Sequence, residues 1–177
     1  MSLKHAILVM LEQEPSSGYD LLKHFRESLG YFWNAKHQQI YHQLKVLNQD
    51  GLINCENATQ KGKPDKKVYE ISHKGRTELQ TWLAEPVSAS KTNDALLVKL
   101  YGTAAGDEKS IFEELQRHIA LHQHILEKLR GIEAAYHALP EKQQEAQRFP
   151  FITLRRGIIG EEAWLQWATE ATQLFKK

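Results

Sequence analysis

Cysteine is almost absent: Cys55 is the single one in 177 residues, so an intrachain disulfide is excluded and a reducing cytoplasm fits. Nothing beside Cys55 in sequence would depress its pKa, which favours packing over oxidant sensing. Long apolar runs are missing too. The stretches that exist, such as Ala6–Leu11, fall far short of the ~20 residues that span a bilayer. The first residues carry no small-residue cleavage site after their apolar stretch and read as helix rather than signal peptide. There is no GxSxG, HExxH, P-loop or dinucleotide glycine loop. Gly157-Ile158-Ile159-Gly160 lies inside a helical pattern and is no phosphate cradle. These absences argue against an enzyme and give no reason to expect a cofactor. Internal repeats and low-complexity tracts are also lacking.

An excess of one charge is missing as well, the net being +1. The distribution is more informative. Residues 61–76 contain Lys61, Lys63, Lys66, Lys67, Lys74 and Arg76 against Asp65 and Glu70, a local net of +4. A local basic cluster in a near-neutral chain is either a solvated loop or a phosphate-binding element.

What is present is mostly helix. Leu3–Gln13 has helical apolar spacing and ends before Pro15-Ser16-Ser17-Gly18. A second helix spans Tyr19–Leu29 with Ser17 as its cap, and a third runs from about Ala35, capped by Asn34, to Gln49, where Asp50-Gly51 stops it. Residues 52–56 and 67–71 alternate with period two around a loop containing Gly62 and Pro64, a β-hairpin with a basic tip. Ser72–Ala84 closes the first half as a helix, followed by helices over 93–101, 107–139 and about 151–175.

Helix, helix, turn, helix, hairpin, helix is the order of a winged helix-turn-helix. The third helix exposes no carboxylate before Asp50; its outer face offers Lys36, His37, Gln38, Gln39, His42, Gln43 and Lys45 with Tyr41 at the flank, while Ile40, Leu44 and Leu47 face inward. Amides, imidazoles and ammoniums suit phosphate oxygens, and Gln can pair with the adenine edge in a major groove. The residues near the N-terminal end, Lys36, His37, Gln38, Gln39 and His42, are the candidates for base contacts. Ser16, Ser17 and the Tyr19 amide stand at a helix start suited to phosphate, or simply cap it. Lys61, Lys63, Lys66 and Lys67 would follow the backbone or minor groove, each adding about one unit to the salt slope.

Gly18-Tyr19-Asp20-Leu21, Gly30-Tyr31-Phe32-Trp33, Gln39-Ile40-Tyr41, Gly51-Leu52-Ile53 and Gly62–Tyr69 resemble the PadR family of bacterial regulators. Residues 32–41, 94–100, 153–156 and 163–168 are similar to its AphA-like, virulence-activator subgroup. The resemblance implies a cytoplasmic homodimer on near-palindromic promoter DNA. Many relatives carry small residues and a proline where this chain has Ala35-Lys36-His37-Gln38-Gln39, so their operators do not transfer.

Ile111, Leu115, His118, His122, Ile125, Leu129, Ile132, Tyr136 and Leu139 alternate spacings of four and three, a heptad seam for a packed helix. Ile111, Leu115, His118, His122, Ile125, Leu129 and Ile132 of this seam, with Trp164 and Trp167 of the last helix, are the candidate dimerisation residues. His118 and His122 are one turn apart, but two ligands make an incomplete metal site, and hydrogen bonding across helices is the expected role. Trp82, Trp164, Trp167 and Tyr136 either line a pocket for a small aromatic effector or fill a gap between domains. The expected architecture is mainly α with a small hairpin: a winged-helix DNA-binding domain over 1–86, a linker over 87–92 and a helical dimerisation domain over 93–177. Its partners would be double-stranded promoter DNA, a second copy, and a small aromatic effector or second regulator, with no membrane. The rival reading is a winged-helix protein-interaction module, which would lack the polar donor face and basic wing.

Overall fold

Apolar residues at Ile7, Leu8, Met10 and Leu11 place one side of α1 (Leu3–Gln13) in the core. A computed structural model describes residues 3–28, 30, 33, 35–58, 66–88 and 93–175 of the chain. They divide into two compact units, Met1–Ser90 and Lys91–Lys177. Among the described residues no helix is long and apolar enough to cross a membrane.

In the first unit α1 is followed by β1 (Ser16–Ser17), α2 (Gly18–Ser28), α3 (His37–Gln49), β2 (Ile53–Ala58), β3 (Lys66–Ile71) and α4 (His73–Leu83). The strands form one antiparallel sheet in the order β1-β3-β2, with Ser16 opposite Tyr69 and Cys55 opposite Tyr69 from the other side. The expected hairpin is there. Its third strand is not legible in the sequence, because two residues carry no period. Ile40, Leu44 and Leu47 are fully buried with Ile7, Phe25, Ile53, Ile71 and Leu79 in one core.

The end of α3 explains how the chain changes from helix to strand. Gly51 has φ +70°, where L side chains are strained. The Leu52 amide donates to the Leu47 carbonyl at 2.9 Å and the Gly51 amide to that of Asn48 at 3.2 Å, the paired bonds of a Schellman ending. Leu47 and Leu52 are both buried, which supplies its apolar contact. The other end starts two residues later than expected. Lys36 stands at the cap position, and its N–H donates to Gln39 Oε1 at 2.8 Å. Asn34 lies outside the described residues.

The α1–α4 side is pinned by stacking and charge. The His5 and Trp82 rings stack with centroids 4.4 Å apart, and Glu78 accepts from Lys4 at 2.5 Å and meets His5 at 3.2 Å.

In the second unit α5 (Ala95–Tyr101) and a short 3-10 turn (Thr103–Ala105) precede α6 (Glu108–His137), α7 (Glu141–Ala146) and α8 (Arg148–Leu174). Asp94 and Asp107 cap α5 and α6 through their side chains. The polar stretch after Pro140 holds the unforeseen α7. Helix α8 starts at 148 rather than 151 because Pro150 falls within its first turn, where its missing N–H costs nothing.

Helices α6 and α8 pack antiparallel, so that residues advancing along α6 meet residues receding along α8. Phe112 meets Phe175, His122 meets Trp164, Glu133 bonds Arg155, and Tyr136 stacks on Phe151 at 4.0 Å. Leu115 packs with Ala168 in one buried cluster, and Leu126 and Leu129 with Ile158 in another.

Candidate nucleic-acid interface

Helix α3 presents its polar side outward as its periodicity requires. Lys36, His37, Gln38, Gln39, Tyr41, His42 and Lys45 are all exposed, opposite the buried Ile40, Leu44 and Leu47. No carboxylate occurs in the helix, and no ion pair engages Lys36 or Lys45 among the described residues. The charged donors of this face are therefore unpaired among the described residues, and two neighbouring side chains are constrained. Gln39 spends its carbonyl oxygen on the Lys36 amide, leaving its NH2 free to donate. The His37 ring lies 4.5 Å from that of Tyr41, tilted by 37°, which limits the directions in which the imidazole can point.

The start of α2 is more committed than the sequence suggests. Ser16 and Ser17 are buried in β1. The Ser17 hydroxyl donates to Asp20 Oδ2 at 2.8 Å and accepts from the Asp20 amide at 3.2 Å. Tyr19, by contrast, is 71% exposed. The Ser17 hydroxyl is thus engaged with Asp20, and Tyr19 is the most exposed residue of this group.

Of the four wing lysines, Lys61 and Lys63 lie outside the described residues. Lys67 is exposed. Lys66 Nζ is paired with Asp20 Oδ2 at 2.6 Å. Lys66, with Ser17 second, holds the Asp20 carboxyl below its usual range. Asp20 is the residue that sequence reasoning missed. Its signal was a capping pattern, Ser17 followed three residues later by an acid.

The seam residues find their partner within the chain. Leu115 and Leu129 are buried, and His118, His122, Ile125, Trp164 and Trp167 are half-buried in the packing of the second unit. Their direct partner is α8 or α6 of the same chain. Ile111 is half-buried and Ile132 is exposed. His122 makes the cross-helix bond expected of it, Nδ1 to Glu161 Oε2 at 2.5 Å, and stacks on Trp164 at 3.6 Å. His118 reaches Glu114 at 3.4 Å. Among the described residues no group of three or more His, Cys, Asp or Glu side chains could hold a metal ion.

Trp82 stacks on His5, and Trp164 lies edge-on to Trp167 at 5.4 Å. Tyr136, fourteen residues and about 21 Å along α6 from His122, borders a polar concavity with Glu141, Lys142, Gln144 and Glu145. Each of these rings packs against another ring of its own unit.

Residues 7–81 match the transcriptional regulator PadR-like family, and residues 92–176 match the virulence activator alpha C-terminal family. A probable transcriptional regulator of Mycobacterium tuberculosis is 38% identical over 188 residues, covering 100% of this chain and 99% of its own. The Bacillus subtilis PadR solved with operator DNA superposes with a TM-score of 0.84 at 27% identity, covering 98% of both chains. The same protein has been solved with p-coumaric acid, with a TM-score of 0.77 at 26% identity, over 99% of this chain and 96% of that one. The Vibrio cholerae virulence activator AphA gives a TM-score of 0.80 at 31% identity, over 99% of this chain and 98% of that one. These relationships favour a regulator over a protein-interaction module. The chain belongs to the PadR-like family of transcriptional regulators, and its second half is of the virulence-activator type.

Proposed function

We propose that the chain binds promoter DNA sequence-specifically as a homodimer, placing α3 of each copy in a major groove. The observation that carries this reading is the exposed, carboxylate-free face of α3 on a winged helix. Lys36, His37, Gln38, Gln39 and His42 meet base edges, while Tyr41 and Lys45 lie at the flank of the same face. Tyr19 at the start of α2, and Lys67 with Lys61 and Lys63 of the wing, meet phosphates. The Ser17 hydroxyl holds Asp20 at that helix start, with Ser16 beside it in β1.

The second unit supplies the dimer contact. Leu115, Leu129, Trp164 and Trp167 build the helix pair, and its outer faces do the pairing. Phe149, Ile152 and Ile159 are 66%, 61% and 52% exposed, and their spacing puts them on one side of α8. One winged helix reads one short half-site, and a pair roughly squares the discrimination.

The solved complex of a relative with p-coumaric acid supports a small aromatic effector, with a second regulator as the other candidate partner. The relatives are regulators by name, which supports a cytoplasmic, non-catalytic role. Fluorescence-anisotropy titration of labelled DNA from upstream of the protein's own gene, against shuffled DNA of equal length, tests the reading. Binding at least a hundredfold tighter to the native sequence is expected. Equal affinities would overturn it.

A further inference from the structure

We propose that Asp20 is a positioning residue that takes Lys66 out of the phosphate-binding set and ties the root of the wing to the start of α2. The inference rests on the DNA-binding reading above. Three elements meet at this carboxylate. Asp20 itself lies in the first turn of α2, the Ser17 hydroxyl of β1 donates to Oδ2 at 2.8 Å, and Lys66, the first residue of β3, reaches the same oxygen at 2.6 Å. Lys66 and Asp20 are 46 residues apart in sequence, so the contact closes the hairpin onto the helix start rather than stabilising a local turn.

The charge arithmetic gives the pair its consequence. A lysine facing phosphate releases about one counterion and steepens the salt dependence of binding by about 0.9. Lys66, held against a carboxylate, releases none. Lys67, the next residue, is exposed and has no carboxylate partner among the described residues. Adjacent lysines of one strand are thus assigned opposite tasks: Lys66 anchors the wing and Lys67 grips the backbone. The protein holds DNA with a lighter, more readily reversed electrostatic grip than its count of basic residues suggests.

A purely local role for Asp20 exists, since an acid in the first turn stabilises any helix. Salt dependence separates the two roles. Asp20→Asn, Lys66→Met and Lys67→Met would each be titrated against random-sequence duplex and against upstream DNA from about 50 to 300 mM salt, with folding checked by circular dichroism. Asp20→Asn is expected to steepen the slope by about one unit and tighten random-DNA binding roughly five- to tenfold near 0.1 M salt. Lys66→Met should leave the slope unchanged, and Lys67→Met should flatten it by about one unit. A flattened slope for Lys66→Met would mean that Lys66 grips phosphate, and would overturn the inference even if Asp20→Asn failed to fold. An unchanged slope for well-folded Asp20→Asn would overturn it too. In both cases the wild type still binds DNA in a salt-dependent way; a wild type that does not would instead overturn the DNA-binding reading itself.

Discussion

Tyr41 of the candidate recognition helix lies directly over Gly18 at the start of α2. A Cβ added at Gly18 would stand 2.8 Å from Tyr41 Cε1 and 3.1 Å from Cζ, closer than van der Waals contact allows. The bare glycine lets the phenol ring settle between two helices, and that ring in turn confines His37. Gly18→Ala should therefore displace Tyr41 with little loss of fold, because a ring at the edge of the core can swing outward. Unfolding in urea should show a loss of no more than about 1 kcal/mol. Affinity for upstream DNA should nevertheless fall several-fold. A variant that bound as well as the wild type would remove Tyr41 from the interface.

Base reading and phosphate binding are separable by the DNA used. Gln38→Ala and His42→Ala each remove a donor from the exposed face of α3. A good base contact is worth about 1–3 kcal/mol of discrimination, so affinity for upstream DNA should drop some five- to a hundredfold. Affinity for random DNA should hardly change. Equal losses on both would assign these side chains to the backbone.

Acid stability follows from the carboxylates that hold cations. Lys4, ahead of His5, pulls the Glu78 carboxyl below its usual range. A depressed folded-state pKa contributes stability that is present above the unfolded value, about 4.3, and that disappears as pH falls through the folded value. Glu78→Gln should therefore be less stable than the wild type at pH 7, by less than about 1 kcal/mol since the pair is half-exposed. The gap should close at more acidic pH, below the depressed pKa. Thermal melts from pH 3 to pH 7 measure it, and a gap independent of pH would contradict the pairing.

Most of the fold was legible because helical and strand periods are long-range signals. The buried Ile40, Leu44 and Leu47 recur every three or four residues, and residues 52–56 and 67–71 alternate. The polarity of α3 was equally legible, since exposure follows from that period. What the sequence hid was either very short or joined positions far apart along the chain. Strand β1 is two residues long and exists because β3 offers it a free edge. The Asp20–Lys66 pair joins positions far apart in sequence, so Lys66 reads there as one more free cation. The seam of α6 announced a partner helix, and α8 of the same chain takes Leu115 and Leu129. Histidines and tryptophans likewise announced stacking without naming the pairs, so His122–Trp164 and His5–Trp82 required the fold.

Core and surface of the second unit should respond differently. Leu115 is fully buried, and Leu115→Ala should cost about 2–5 kcal/mol of stability. Ile152→Glu, on the exposed side of α8, should leave the monomer folded and weaken its pairing. Sedimentation over a range of concentrations should show the shift toward monomer. A dimer unaffected by Ile152→Glu would place the contact elsewhere on the unit.

Two copies reading one promoter through paired α3 helices would leave a symmetric footprint, and hydroxyl-radical cleavage of upstream DNA tests this most directly. The expected pattern is two protected patches on one face of the duplex, related by two-fold symmetry and about 10 base pairs or a multiple apart. Protection indistinguishable from that on random DNA, or a single patch without symmetry, would contradict it.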